Sequence, residues 1–189
     1  MKITGHFSTT INSIWVKTEG TQTARDGGDI EAQLLYGQLI SPFFDAQAGV
    51  RVRHRSGPGS NTVRTYASIG LQGLAPYRYE LEPTVFISER GQVSARVTAS
   101  YDQLLTQRLI LQPRVEFNMA TKSDRQFGVG SGLSDTELGV RLRYELKREF
   151  APYVGVTWKQ SYGQTKRFER AESNETSLVS VVVGVRAWF

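Results

Sequence analysis

Phe44-Asp45-Ala46-Gln47-Ala48-Gly49-Val50-Arg51-Val52-Arg53-His54 is the stretch that decides the fold. Phe44, Ala46, Ala48, Val50 and Val52 fall on one parity, and Asp45, Gln47, Gly49, Arg51 and Arg53 on the other. Successive side chains of a strand point to opposite faces, so this segment reads as a strand with one apolar and one charged face. The division recurs along the chain. Val63 to Leu71, Tyr79 to Ile87, Val93 to Tyr101, Leu109 to Phe117, Leu138 to Tyr144 and Val179 to Phe189 each set alternate apolar residues against Arg, Glu, Ser, Thr or Gln. Weaker versions run over Phe7 to Glu19, Asp29 to Ile40 and Ala151 to Tyr162, and no segment shows convincing helical periodicity. About ten strands result, with eight or twelve as the alternatives. Each is near the 9–11 residues that a tilted strand needs to cross a bilayer. Ten is an even number, as in single-chain bacterial outer-membrane barrels.

Composition alone points elsewhere. The chain has 189 residues, 39% of them hydrophobic, a net charge of +5 and no cysteine. That length fits one domain. Without cysteine there is no disulfide framework, thiolate metal site or cysteine nucleophile. No run approaches the roughly 18 consecutive apolar residues of a transmembrane helix. Hydropathy therefore reads as soluble, but it averages the two faces of every strand. Lys and Arg are interspersed with Asp and Glu instead of forming a basic stripe, so nucleic-acid binding is not expected. Residues 1–6, Met-Lys-Ile-Thr-Gly-His, lack the features of a secretory signal and read as a lead-in, with a barrel over residues 7–189.

The connections alternate in kind. Ser41-Pro42-Phe43, Ala75-Pro76-Tyr77, Leu104 to Gln107 and Glu149 to Tyr153 read as tight turns. Gly20 to Gly28, Arg55 to Asn61, Ala120 to Gly132 and Gln160 to Glu175 read as longer polar loops, with Glu89-Arg90-Gly91 short. Short turns at one end and long loops at the other are the outer-membrane pattern. Aromatic residues on the apolar parity (Phe44, Tyr77, Tyr79, Tyr101, Tyr144, Trp158, Phe189) fall near strand ends, as interfacial girdles do. The terminal Phe189 resembles the signal through which the barrel-assembly machinery recognises its substrates. The expected fold is thus an all-β, antiparallel up-and-down transmembrane barrel in outer-membrane lipid. A soluble lipocalin-like barrel has the same period with the opposite sense and stays open as an alternative. Pro83 and Pro113 fall inside strands, where a missing donor predicts bulges.

Several blocks resemble the barrel region of the copper resistance protein B family. They include Ile40-Ser41-Pro42-Phe43, Gln47-Ala48-Gly49-Val50-Arg51, Gln72 to Tyr77, Ser88-Glu89-Arg90-Gly91, Leu104 to Arg114, Gly130 to Asp135 and Arg148 to Val156. They occur in family order from about Trp15 to Phe189. The resemblance implies an outer-membrane protein of Gram-negative bacteria that contributes to copper resistance, by export or by sequestration at the cell envelope. Copper is then the implied cofactor, and copper ions or periplasmic copper proteins are the implied partners. Members usually carry a Met- and His-rich segment before the barrel, suited to soft copper. These residues hold no such segment, which points to a truncated barrel.

Soft ligands are few: His6, His54 and Met119, with Met1 at the start. Copper sites usually need two or more such side chains converging. His54 and Met119 both lie where a strand meets a long loop, so they are candidate metal residues at the outer mouth. His6 is the third candidate. The plain alternatives are a loop histidine and a lipid-facing methionine. The charged parity is richer, placing Arg51, Arg53, Arg64, Glu80, Glu82, Arg96, Arg114, Glu116, Glu137, Arg141 and Arg143 in the lumen. Lys17, Glu31, Asp45, Asp102, Glu145 and Arg186 lie on the same face. Isolated charges in a narrow lumen are costly, which predicts a cross-linked Arg–carboxylate network. That network is read as a structural plug or as the lining of a conduit. Its even mixture of signs argues against strong ion selection.

An enzyme is not expected. Asp135, Glu137 and His54 make an acid/base set only in imagination, since nothing in their spacing supports a rim hydrolase. Gly128 to Gly132 follows no strand-to-helix pattern and is a loop instead of a phosphate cradle. A passive structural or partner-binding barrel is the main alternative function.

Overall fold

A computed structural model describes residues 2–8, 12–23, 27–57, 60–75, 79–146, 150–171 and 175–187. Twelve strands follow one another in the order β1 (Lys2–Ser8), β2 (Asn12–Thr23), β3 (Gly27–Ser41), β4 (Phe44–Gly57), β5 (Ser60–Ala75), β6 (Tyr79–Ser88), β7 (Val93–Tyr101), β8 (Gln103–Leu104), β9 (Leu109–Ala120), β10 (Gly132–Tyr144), β11 (Phe150–Ser161) and β12 (Ser177–Ala187). A 3₁₀ turn, Arg125–Phe127, lies between β9 and β10, and a helix, α1 (Gly163–Ala171), between β11 and β12. Each long strand pairs antiparallel with the next, β9 also pairs β10, and β12 pairs β1, so the ladder returns on itself. The β12–β1 contact is parallel and short, carried by Ile3 opposite Val185 and Thr4 opposite Arg186.

The architecture is the expected all-β up-and-down sheet, with eleven long strands where alternation suggested about ten. The extra strand is β1. Residues 2–6 of the expected lead-in, together with Phe7 and Ser8, pair with β2 from Lys2 opposite Glu19 to Ser8 opposite Ser13. β8 is the tail of β7, because Ser100 opposite Arg114 and Gln103 opposite Leu111 share one register. Between them the ladder passes Pro113, which offers no N–H. Pro83 interrupts β5–β6 pairing in the same way: Gly70 opposite Thr84 and Gly73 opposite Leu81 keep one register across the gap. The bulges expected at these prolines are therefore ladder interruptions. The register shifts lie instead between Leu39 and Ser41 and between Leu133 and Asp135.

Two of the four long loops shrink. Residues 20–23 and 27–28 belong to β2 and β3, and Arg55 to Gly57 and Ser60 to Asn61 to β4 and β5, because their backbones continue the ladder, Thr23 opposite Gly27 and Gly57 opposite Ser60. Gly28 N also donates to Ser56 Oγ at 3.1 Å. The loops after β9 and β11 remain long, and the second contains α1. Two helical turns carrying a single large apolar residue, Phe168, leave no periodic signal to read.

Burial settles which face is which. Val50, Val63, Ile69, Leu34, Val140, Val156 and Val181 are exposed, Val181 by 74%. Glu31, Gln33, Gln47, Arg51, Arg64, Ser68, Thr84, Glu116, Arg141 and Arg143 are buried. The charged parity points inward and the apolar parity outward, the opposite of the lipocalin-like sense. Strand crowding also fixes small residues: a Cβ on Gly49 would lie 2.0 Å from the backbone oxygen of Leu34. Trp188 and Phe189, residues 76–78, and the side chains of His6 and Arg186 lie outside what is described.

Candidate functional site

The lumen is crossed by two ionic bars. In the larger, Arg51 of β4 binds Glu31 of β3, and Arg96 of β7 reaches the same carboxylate at 3.2 and 3.3 Å. Arg96 also lies 3.3 Å from Glu116 of β9, which binds Arg114, and Arg114 lies 3.2 Å from Glu137 of β10. Six charges thus alternate in sign from Arg51 to Glu137. β3 and β7 are four strands apart in the ring, so the Glu31–Arg96 pair spans the interior. The second bar joins Lys17 of β2 to Glu82 of β6. Alternating signs compensate charge that would otherwise be costly in a confined space.

Aromatic rings complete the larger bar. Phe86, only 2% exposed, presents its face to Arg51 at 4.3 Å and to Arg96 at 5.6 Å. Tyr66 flanks Arg51 at 5.1 Å. Guanidinium groups held over ring faces gain a cation–π attraction that strengthens as water is removed.

Toward the short-turn end lies a cavity of about 130 Å³, lined by Glu80, Glu82, Arg114, Arg141, Arg143 and Trp15 among others. It has room for several waters. Arg143 meets Asp102 at 2.7 Å and Arg141 stacks on Tyr153 at 5.4 Å. Glu80 accepts from Gln72 Nε2 at 3.0 Å. At the opposite end, Arg53 donates from Nε to both oxygens of Asp29 at 2.9 Å. Arg64 binds Asp124, and Phe127 turns its ring inward beneath Arg53 and Arg64.

All eleven residues expected in the lumen face inward, and most engage partners there. Of the candidate metal residues, His54 and Met119 lie apart. His54 shares the outward parity of Val50 and Val52, opposite Ile30 and Val63, while Met119 is exposed on β9, four strands away in the ring. His6 stands on β1 opposite Trp15. Among the described residues no group of three or more His, Asp or Glu side chains is arranged to hold a metal ion. Nor does the acid/base set assemble: Asp135 accepts from Asn118 at 3.0 Å and Glu137 engages Arg114, while His54 faces away. Reading by parity missed Phe86, Asp124 and Phe127. Phe86 had a usable signal, being the one large apolar residue on the polar parity of β6. Asp124 and Phe127 sit in a loop, where alternation says nothing.

Comparison with known proteins places this architecture. The family model described as copper resistance protein B precursor matches residues 2–189. A copper resistance protein B from Escherichia coli is 45% identical over 194 residues, covering 98% of this chain and 64% of the relative. A copper resistance protein B homolog from Pseudomonas syringae pv. tomato is 42% identical over 187 residues, covering 99% of this chain and 62% of the relative. The chain thus spans under two thirds of those relatives' length. Among solved structures, the NanC porin superposes with a TM-score of 0.57 over 95% of each chain at 11% identity, a likeness of fold. The chain belongs to the copper resistance protein B family.

Proposed function

We propose that the protein is an outer-membrane β-barrel of Gram-negative bacteria that contributes to copper resistance by moving or holding copper at the envelope, with its lumen closed in this state. The observation that carries this reading is the inverted burial: apolar side chains form the exposed face and Arg, Glu and Gln fill the interior. A barrel so arranged buries its apolar belt only in lipid. The family match supports the link to copper. The lumen contributes a charge-compensated interior barred by Lys17–Glu82 and by the Arg51-to-Glu137 chain. Its oxygen and guanidinium groups are poor partners for soft Cu(I). Copper capture then falls to residues beyond this lumen or to a partner protein.

The test is expression in a copper-sensitive outer-membrane host, measuring tolerance and cell copper together with heat-modifiable gel migration. The proposal expects a heat-modifiable membrane protein that raises tolerance. A chain that folds as a monomer in plain buffer without detergent would refute it.

The bars themselves favour a second reading, a passive barrel that anchors other copper-binding parts. The double variant Lys17→Met/Glu82→Leu separates the two. A conduit changes cell copper when the bar is removed, whereas an anchor keeps both tolerance and copper content.

A further inference from the structure

Arg53 and Arg64 stand directly opposite each other on β4 and β5, both facing the lumen. Like charges in that position repel. The wall neutralises one of them, since Asp29 of β3 takes Arg53. Arg64 is only 1% exposed, and its one hydrogen-bond acceptor outside the β9–β10 loop is Gln92 Oε1 of the β6–β7 turn, at 2.9 Å. Its remaining partners come from the loop between β9 and β10. These are the carboxylate of Asp124, Gln126 Oε1 at 2.9 Å and the ring of Phe127 at 4.7 Å. The β6–β7 turn adds one charge of each sign, Arg90 and Glu89, so without the β9–β10 loop Arg53, Arg64 and Arg90 face only the carboxylates of Asp29 and Glu89 at the mouth.

The loop is fastened by few contacts. Asp124 and Val129 close it on itself, and Gly128 takes a left-handed conformation (φ 64°) that lets the turn reverse behind Phe127. Its outer end is held by α1, where Gly130 N donates to Thr165 Oγ1 at 2.8 Å. A Cβ at Gly130 would lie 2.4 Å from the Thr165 backbone nitrogen, so only glycine lets the two loops meet. The loop's two ends are tied to strands, Thr121 N donating to Val93 O of β7 and Ser134 Oγ of β10 to Gly130 O, each at 2.9 Å, and Arg90 donates to Gln126 Oε1 at 3.2 Å, so the part that can lift is Lys122 to Val129.

We propose that Arg64 is a binding site for a carboxylate or phosphate oxyanion at the outer mouth, occupied in this state by Asp124. Asp124 is a built-in competitor, and the segment from Lys122 to Val129 is a lid that lifts when an external oxyanion takes its place. A guanidinium suits this role because it offers paired donors to a planar carboxylate or to phosphate. Lifting the lid without an incoming anion forfeits the Arg64–Asp124 ion pair and the Gln126 hydrogen bond, so an oxyanion that replaces them favours the open state. The inference depends on the proposed function only for which side of the membrane the mouth faces.

The experiment uses the full chain folded in detergent, with folding verified by heat-modifiable migration so that loss of the site is distinguished from loss of the barrel. Inorganic phosphate and acetate are titrated separately against sodium chloride at matched ionic strength. Binding is read by calorimetry. Lid position is read from an environment-sensitive fluorophore on Arg125→Cys, the chain having no other cysteine. Asp124→Asn keeps the side-chain oxygen that accepts from Gln126 N, but removes the competing charge. It is expected to bind the preferred anion at least tenfold more tightly than the unmodified chain, and Arg64→Gln/Asp124→Asn is expected to lose binding. In the unmodified chain the same anion shifts the fluorophore signal, and Phe127→Leu shifts it at lower anion concentration. A response to acetate and phosphate alike assigns a carboxylate-accepting site, and a response to phosphate alone a phosphate site. Equal affinity with and without Asp124, binding that survives loss of Arg64, or no binding of either anion to Asp124→Asn would overturn the proposal.

Discussion

Removing the Glu31 carboxylate should show what the interior network contributes. In Glu31→Gln, Arg51 loses its one carboxylate partner among the described residues, while Arg96 keeps Glu116 at 3.3 Å and Asn118 at 3.1 Å. One guanidinium is left buried against Phe86 and Tyr66 without a counter-charge. Breaking a buried pair from one side costs 3–5 kcal/mol, and the nearby cavity admits water, so the expected loss is about 3 kcal/mol. That is roughly a 150-fold fall in the folding equilibrium. Urea unfolding of the detergent-folded barrel, followed by the shift between folded and unfolded gel bands, measures it. Two controls sharpen the test. Glu31→Gln/Arg51→Met removes both charges and keeps packing against Phe86, so it should return to within about 1 kcal/mol of the starting chain. Lys159→Gln breaks a more exposed contact, 3.9 Å from Asp135, and should cost less than about 0.5 kcal/mol. A Glu31→Gln barrel as stable as the parent, or a double variant no better than the single, would refute the argument that charge compensation holds the lumen together.

Phe86→Leu keeps an apolar side chain but removes the ring beneath Arg51 and Arg96, so the same unfolding assay should register a loss of about 1 kcal/mol. His54→Ala and Met119→Ala, singly or together, should leave copper binding by this chain unchanged in calorimetric titrations with Cu(II) or reduced Cu(I). The two side chains face outward on strands four apart. A sharp loss in either variant would mean that the residues converge after all.

Parity made the wall legible, because a period of two is a local property that survives without any knowledge of partners. Arg51, Arg64, Arg141 and Arg143 could be placed inside from their own neighbours in sequence. Which acid each would meet could not be placed. Glu31 joins Arg96 from 65 residues away, and that contact depends on ring closure and register. Proline misled in a specific way. Pro83 and Pro113 remove a donor without adding a residue, so they break the ladder and leave the register intact. β1 escaped notice because Lys2 to Ser8 is short and mixed in polarity, and its pairing with β2 is set by tertiary closure. The lid was out of reach for a related reason. Asp124 and Phe127 act through contacts with Arg64 and Arg53 on other strands, and a loop carries no periodicity to announce them.

The direction of two neighbouring side chains decides which face of the sheet meets lipid. Val156 is 51% exposed and Thr157 6% exposed on the same strand, one residue apart. In a chain without cysteine, Val156→Cys and Thr157→Cys can each be labelled with bimane, and the barrel reconstituted in bilayers containing brominated lipid. The account predicts strong quenching at position 156 and little at 157. Quenching reversed between the two, or equal at both, would contradict a barrel with its charges inside and its apolar face in lipid.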